Sequence, residues 1–338
     1  MNITDAKNFF ENFVGESSTE FFALPQSGSS RINYIGKTPN EKYVVTYNEN
    51  LRENEAFFYF SDVFEKLNLN TPKIFTINEN RNLYVQQFLG AETLSEVISK
   101  EGLSENVVSL VKQTLQKLFT LQKESQNKID YSQTFEYESY DELPVMHDLY
   151  YFKNFMADVL ELHYHKSALL KEFKKITRKI EDLSPKGLMI RDFQARNILV
   201  NDGQIYFIDY QAAMEGPAMY DVVSFLFQAK ANFPENFKNE MLDYYFSFYE
   251  SEEEKNQLKE SLKYCKLLRF LQVLGAYGFR GLIQRKPHFV ASIEQGIENL
   301  IRFVSTEKEM DLYPELKNLV LQMNSEKTTI KIKDLIQS

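Results

Sequence analysis

The stretch GLMIRDFQARNILVNDGQIYFIDYQ, residues Gly187 to Gln211, decides how this chain is read. Two short apolar runs, Ile198-Leu199-Val200 and Ile205-Tyr206-Phe207-Ile208, flank Asn201-Asp202-Gly203. β-branched and aromatic residues favour strands, and Asn, Asp and Gly tolerate the positive φ of a primed turn, so the pattern predicts a tight hairpin. Antiparallel pairing brings Asn197, just before the first strand, and Asp209, just after the second, to one end of that hairpin. Asp192 lies on the loop entering the same end.

An Asp, an Asn five positions on, and an Asp closing the next strand make the set that phosphoryl transfer to a hydroxyl uses. Asp192 is positioned to accept the proton of the attacking hydroxyl. The Asn197 carbonyl oxygen and the Asp209 carboxylate are hard oxygen ligands for Mg²⁺ bridging nucleotide phosphates. RDFQARN resembles the catalytic loop of the kinase-like phosphotransferases, and IDY their metal-binding tripeptide. No long activation segment follows Asp209. Gly216-Pro217 leads straight into the helical pattern of Tyr220 to Phe227, which leaves no peptide-docking platform. The closer resemblance is therefore to the aminoglycoside phosphotransferase-like small-molecule kinases. MIRDFQARNILV, IDYQAAMEGPAMYDVVSFLFQAKA and LLRFLQVLGAYGFRGLIQRK are similar to a bacterial branch that includes anomeric kinases of cell-wall amino sugars.

That resemblance implies an α+β, bilobal protein kinase-like fold. Residues 1–89 would form a nucleotide-binding lobe with a five-stranded antiparallel sheet, and residues 90–338 a mostly helical catalytic and acceptor-binding lobe. The length of 338 residues suits two domains, and 28 Phe and 20 Tyr supply two cores in a chain without Trp. A formal net charge of −9 gives no sequence-wide basic field, so neither nucleic acid nor an anionic membrane is an expected partner. The single Cys265 offers no internal disulfide, and the first residues lack the basic flank and apolar core of a signal peptide. No apolar run approaches membrane-spanning length. The expected location is the cytoplasm.

Within the first lobe, Thr4 to Val14 reads as a short helix capped by Thr4 or Asp5, and Phe21–Leu24, Arg31–Ile35 and Tyr43–Tyr47 as strands. The turn carrying Ser27, Gly28, Ser29 and Ser30 would offer backbone N–H groups and hydroxyls to nucleotide phosphates. One element of the kinase pattern is missing: the third strand has no Lys, and Thr46 or Tyr47 occupies the expected place. Arg31 is the substitute read from the sequence, because a guanidinium binds phosphate oxygens in a bidentate way. The helix predicted over Leu51 to Leu67 then offers Glu53 or Glu55 as a partner for Arg31, or simply as favourable charges at its N-terminus. Two further strands, over Thr71–Ile77 and Leu83–Phe88, complete the sheet. Gln87-Phe88-Leu89 would form the hinge whose backbone meets the adenine edge, a role that the resemblance supplies.

In the second lobe, Thr93–Lys100, Ser104–Glu124 and Met146–Leu162 read as helices and Asp130–Asp141 as a surface segment. Lys263 to Gln284 is a long helical pattern interrupted by Gly275 and Gly278, whose cost of roughly 1 kcal/mol each against Ala implies close packing or ligand approach. In small-molecule kinases this region lines the acceptor site. Arg280 there, and Arg196 beside Asn197, are the expected substrate contacts. Between Leu267 and Lys286 the chain holds Arg269, Arg280 and Arg285 and no acid, which suits a carboxylate-bearing or neutral acceptor better than a polycation. The expected reaction is ATP–Mg²⁺-dependent phosphorylation of a small-molecule hydroxyl. The expected acceptor is the anomeric hydroxyl of N-acetylmuramic acid or N-acetylglucosamine. Aminoglycoside kinase, amino-alcohol (choline-like) kinase and nucleotide-binding pseudokinase scaffold are the alternatives.

Overall fold

A computed structural model of the chain describes residues 2–25 and 30–337. It divides into two compact units, residues 1–138 with 190–214, and residues 139–189 with 215–338. Compactness thus groups the hairpin of residues 198–207 with the N-terminal sheet, whereas the division expected after Leu89 falls just beyond the last strand of that sheet.

In the first unit, β1 (Glu20–Ala23), β2 (Ile32–Lys37), β3 (Lys42–Tyr47), β4 (Ile74–Ile77) and β5 (Leu83–Gln87) form an antiparallel sheet in the order β1-β2-β3-β5-β4. Helix α1 (Ile3–Val14) covers one face and closes a core of Ala6, Phe10, Tyr34, Val45, Leu83 and Val85. Its N-cap is Asn2, which accepts the Asp5 amide, rather than the expected Thr4 or Asp5. Phe10 packs so closely on β2 that a Cβ on Gly36 would lie 2.6 Å from its ring.

Helix α2 (Leu51–Lys66) is capped by Asn50 and carries Phe57, Phe60 and Phe64 inward at helical spacing. After the sheet come β6 (Glu92–Thr93), α3 (Leu94–Glu101) with a Thr93/Glu96 capping box, and α4 (Glu105–Glu124). The hairpin forms as read, from β7 (Ile198–Asn201) and β8 (Gln204–Phe207), with Asp202 and Gly203 at φ 49° and 71°. Strand β6 pairs with β7, and Gln113 of α4 grips the turn side of the hairpin. Its amide donates to the Gly203 carbonyl at 3.1 Å and accepts from the Ile205 amide at 2.7 Å. At the other end, the Phe207 amide donates to the Asn70 carbonyl at 2.8 Å.

The second unit is mainly helical. Helix α5 (Glu142–Phe152) passes directly into a π-helical turn over Lys153–Ala157, so the helix expected to Leu162 ends as a different one. Helices α6 (Lys166–Glu181), α7 (Met219–Leu226), α8 (Glu235–Phe246) and α9 (Glu252–Tyr277) follow. The pattern expected to run as one helix to Gln284 stops at Tyr277 and continues as a second π turn, Gly278–Ile283. The reason is packing. A Cβ on Gly275 would lie 2.8 Å from the Phe152 amide nitrogen, and one on Gly278 2.0 Å from the Phe155 carbonyl oxygen, so Gly275 lets α9 approach the backbone of α5 and Gly278 lets the two π turns touch backbone to backbone. Helices α10 (Pro287–Val290), α11 (Ile293–Thr306), α12 (Pro314–Gln322) and α13 (Glu326–Gln337) complete the unit. No helix of the described residues is long and apolar enough to cross a membrane.

Candidate functional site

The site grows from the mouth of the hairpin, away from its turn. The Ile208 amide donates to the Asn197 carbonyl at 3.1 Å, which ties the residue before β7 to the residue after β8. The chain then passes through Asp209 at φ 64°, and Arg191, on the entering loop, stands at φ 74°. Both lie in the left-handed region, which costs a non-glycine residue free energy and is held only where the surroundings dictate it. At Asp209 the consequence is a split between neighbours. Tyr210 turns into the core, with its ring 5.1 Å from Phe57 and from Phe64 of α2 and its hydroxyl 2.7 Å from Ser61. The Asp209 carboxylate turns the other way.

That carboxylate gathers three donors. Its Oδ1 accepts from Arg31 Nη1 at 3.3 Å and from Gln211 Nε2 at 3.0 Å, and its Oδ2 accepts from Asn197 Nδ2 at 3.2 Å. Asn197 Nδ2 also donates to the Asp192 carbonyl at 2.9 Å. The amide hydrogens of Asn197 are thereby used within the loop, and its Oδ1 keeps its lone pairs for a cation or a hydrogen-bond donor. The Asp192 amide bonds the Ile190 carbonyl at 3.0 Å, closing the loop, while the Asp192 carboxylate has no hydrogen-bond partner among the described residues. It is half-buried and free to accept a proton from a hydroxyl placed beside it. The structure brings Asp192, Asn197 and Asp209 together as the spacing predicted.

Arg31 completes the group from the strand side. Its second terminal nitrogen bonds Glu53 of α2, and its side chain is 13% exposed. Glu53 also accepts from Asn48 Nδ2 at 2.8 Å, whereas Glu55 pairs with Arg81 instead. Burial by itself would lower the Arg31 pKa. The Tyr84 phenol and the Asp209 and Glu53 carboxylates outweigh that effect and hold the guanidinium above its ordinary value. Thr46 shows why the strand position is closed to a cation: it is 1% exposed, donates to Asn33 at 2.7 Å and accepts from Gln86 Nε2 at 3.0 Å.

The remaining expected residues divide. Ser27, Gly28 and Ser29 lie outside the described residues, and Ser30 is exposed next to Arg31. Gln87 ends β5, donating to the Lys73 carbonyl at 2.8 Å, and Phe88 and the buried Leu89 lead to Gly90 at φ 101°. An open depression of about 490 Å³ at the β2–β3 turn includes Gln87 and Phe88 but not Asp192, Asn197 or Asp209. Arg196 is exposed, with no carboxylate within ion-pair distance among the described residues. Arg280, in the second unit, lies 5.5 Å over the Phe289 ring. Arg269 is 4% exposed, bonds Gln272 and lies over the buried Tyr220 ring, and Arg285 bonds the Leu335 carbonyl, whereas Arg280 lies over the partly exposed Phe289. The sequence reading missed Tyr84, Tyr210 and Gln211. Gln211 stands two residues after Asp209, buried, with an Oε1 that has no hydrogen-bond partner among the described residues.

Fold and site together define a small-molecule kinase. Residues 23–260, more than two thirds of the chain, match the model of the phosphotransferase enzyme family (APH), and the chain belongs to that family. No curated protein compared with it matches in sequence. Among solved structures it is similar to a thermostable mutant of aminoglycoside phosphotransferase APH(4)-Ia, in ternary complex with ADP and hygromycin B. That similarity has a TM-score of 0.59 and 16% identity over 89% of this chain and 99% of that one. It is also similar to Plasmodium vivax ethanolamine kinase, with a TM-score of 0.57 and 16% identity over 87% and 85%. A third is spectinomycin phosphotransferase APH(9)-Ia in complex with ADP and spectinomycin, with a TM-score of 0.57 and 12% identity over 100% and 99%. At these identities the likeness is one of fold, and it fits the kinase-like α+β class expected.

Proposed function

We propose that the protein transfers the γ-phosphoryl group of ATP to a hydroxyl of a small molecule. The observation that supports this most directly is the meeting of Asp192, Asn197 and Asp209 at one hairpin mouth, with the Asp192 carboxylate unencumbered. The relatives crystallised with ADP support the nucleotide. In this reading residues 1–89 carry the nucleotide contacts, including Arg31 and the hinge Gln87-Phe88-Leu89, and residues 90–338 the acceptor contacts.

The donor set suits a hard divalent cation: a carboxylate at Asp209, an amide oxygen at Asn197, and close by the Gln211 Oε1, unpartnered among the described residues. Mg²⁺ held by Asn197 and Asp209 would offset phosphate charge. Asp192 takes the acceptor's hydroxyl proton as the new O–P bond forms and the bond to the β-phosphate oxygen breaks, releasing ADP. Arg31, released from Asp209 when the phosphates arrive, contacts them in place of the strand lysine. A pseudokinase scaffold would have no use for the free Asp192 carboxylate. The chemistry draws on cytoplasmic ATP.

For the acceptor we infer the anomeric hydroxyl of an N-acetylated cell-wall sugar, N-acetylmuramic acid or N-acetylglucosamine. The similarity of MIRDFQARNILV and LLRFLQVLGAYGFRGLIQRK to anomeric amino-sugar kinases motivates it. The second unit adds support. Phe155 lies 4.8 Å from Tyr151 and 4.9 Å from Phe279, and Arg280 covers Phe289, a partly exposed aromatic group beside a cation. Such faces stack on sugar C–H surfaces, and the neighbouring Arg280 guanidinium disfavours a polycation by like-charge repulsion. The test is phosphorus NMR of the products after incubation with ATP and each member of a panel of N-acetyl sugars, aminoglycosides and amino alcohols. An anomeric phosphate supports the reading. Efficient phosphorylation of hygromycin, spectinomycin or ethanolamine without sugar turnover replaces it.

A further inference from the structure

The second unit contains a cavity of about 250 Å³ that the transfer reaction does not use. It lies between the loop after α7, the start of α8, the middle of α9 and the last turns of α11. Three cations line it, Lys238, Lys266 and Arg302, against two acids, Glu235 and Glu307, in a protein whose total charge is −9.

The placement of Lys266 is the informative part. Its ammonium sits 4.7 Å from the centroid of Phe227 and 5.5 Å from that of Phe303, between two phenyl rings. Among the described residues no carboxylate lies within 4.0 Å of it, and the same holds for Arg302. Lys238 approaches the Phe227 ring as well, at 5.0 Å, but is neutralised by Glu235 at 2.8 Å. Cation–π contacts offset only part of the cost of removing an ammonium from water, and a charge taken out of water is ordinarily paired. Burial also pulls the Lys266 pKa below the usual amine value, with Glu307 and Glu235 opposing that effect and Lys238 adding to it. Two ammonium groups converge on one ring and a guanidinium stands at the rim, so the concave surface carries three cations against two acids, only one of which, Glu235, is in an ion pair with a lining cation among the described residues.

We propose that this cavity is a binding site for a small organic anion, a phosphate ester or carboxylate carried on a compact apolar or ring-shaped body. The anionic group pairs with Lys266 and Arg302, and the body packs on Phe227, Phe270 and Phe303, which already contact one another edge to face. Drug-sized ligands fill about 300–1,000 Å³, so the occupant is smaller, of metabolite size. The site is built from side chains other than the catalytic set, so its occupancy does not depend on the acceptor reading above.

The experiment is isothermal titration of the full chain with phenyl phosphate, benzoate, inorganic phosphate and the neutral benzyl alcohol. Wild type, Lys266→Met, Arg302→Gln and Asp192→Asn are compared. The expected result is binding of phenyl phosphate or benzoate that weakens at least about tenfold in Lys266→Met and in Arg302→Gln and is unchanged in Asp192→Asn. Phenyl phosphate stronger than benzoate identifies a phosphate ester, and the reverse a carboxylate. Arg302 is exposed, so its variant keeps the test valid if Lys266→Met does not fold. Three results overturn the proposal: no binding of any anion up to about 10 mM, equal binding in both cation variants, or benzyl alcohol binding as tightly as its anionic counterparts.

Discussion

Removal of the Arg31 guanidinium tests the phosphate contact proposed for this residue, which directly precedes β2. Arg31 reaches both Glu53 and Asp209, whose side chains are 16% and 37% exposed. Stripping one partner from a fully buried ion pair costs about 3–5 kcal/mol. Here Glu53 keeps Asn48, and Asp209 keeps Gln211 and Asn197, so the expected loss of folding stability in Arg31→Ala is about 2 kcal/mol. The effect on catalysis is separate. A charge-assisted contact to phosphate is worth about 1.5–3 kcal/mol, which at about 1.4 kcal/mol per decade lowers kcat/KM for ATP by about 10- to 150-fold. Adenosine affinity should not change, and Arg31→Lys should recover only part of the loss, because an ammonium lacks the fork that spans two oxygens. The assays are steady-state ATP dependence, adenosine and ATP titration, and chemical denaturation. A variant that loses adenosine and ATP binding in parallel, or that retains wild-type ATP dependence, would refute a phosphate role and leave Arg31 as a purely structural ion pair.

Other consequences can be measured directly. Asp192→Asn should lower kcat by about 10²–10⁴ with nucleotide affinity little changed, the loss expected for a general base, and near-normal turnover would remove Asp192 from that role. Asp209→Ala should abolish the Mg²⁺ dependence of ATP binding and Asn197→Ala should weaken it less; ATP binding indifferent to both changes would show that the hairpin mouth holds no cation. Gly278→Ala places a Cβ 2.0 Å from the Phe155 carbonyl oxygen, and overpacking of this kind should cost about 2–3 kcal/mol, read as a clear drop in Tm by calorimetry. Burial pushes the Tyr84 phenol up to about 12, opposed by Arg31 and Thr46, so above pH 10 the unfolded chain releases this proton first. Stability should therefore fall as pH rises from 10 towards 12, and Tyr84→Phe should flatten that fall in denaturation curves. An unchanged slope would show that Tyr84 is not held neutral.

The hairpin of residues 198–207 was legible because its signals are local. A two-residue positive-φ turn between two apolar runs sets the register, and the register alone carries Asn197 and Asp209 to the same end. The alternation of strands and the 3.6-residue spacing of Phe57, Phe60 and Phe64 likewise lie within single elements, so the five-stranded sheet and α2 could be read in advance. Pairings between distant segments could not. Glu53 and Glu55 are equivalent in sequence as acids in the first turns of α2, and only the folded position of Asn48, Arg31 and Arg81 assigns one to each arginine. Gln211 looks like any polar residue after a strand until the left-handed turn at Asp209 brings its amide back onto the carboxylate. The glycines at 275 and 278 announced close approach but not its partner, and a 3.6-residue pattern cannot show where a helix widens into a π turn, since widening shifts the pattern by a single residue. The cavity around Lys266 is the extreme case. Its cations and rings come from separate segments that each read as ordinary amphipathic sequence, and only their packing sets an ammonium close to two phenyl rings with no carboxylate within 4.0 Å among the described residues.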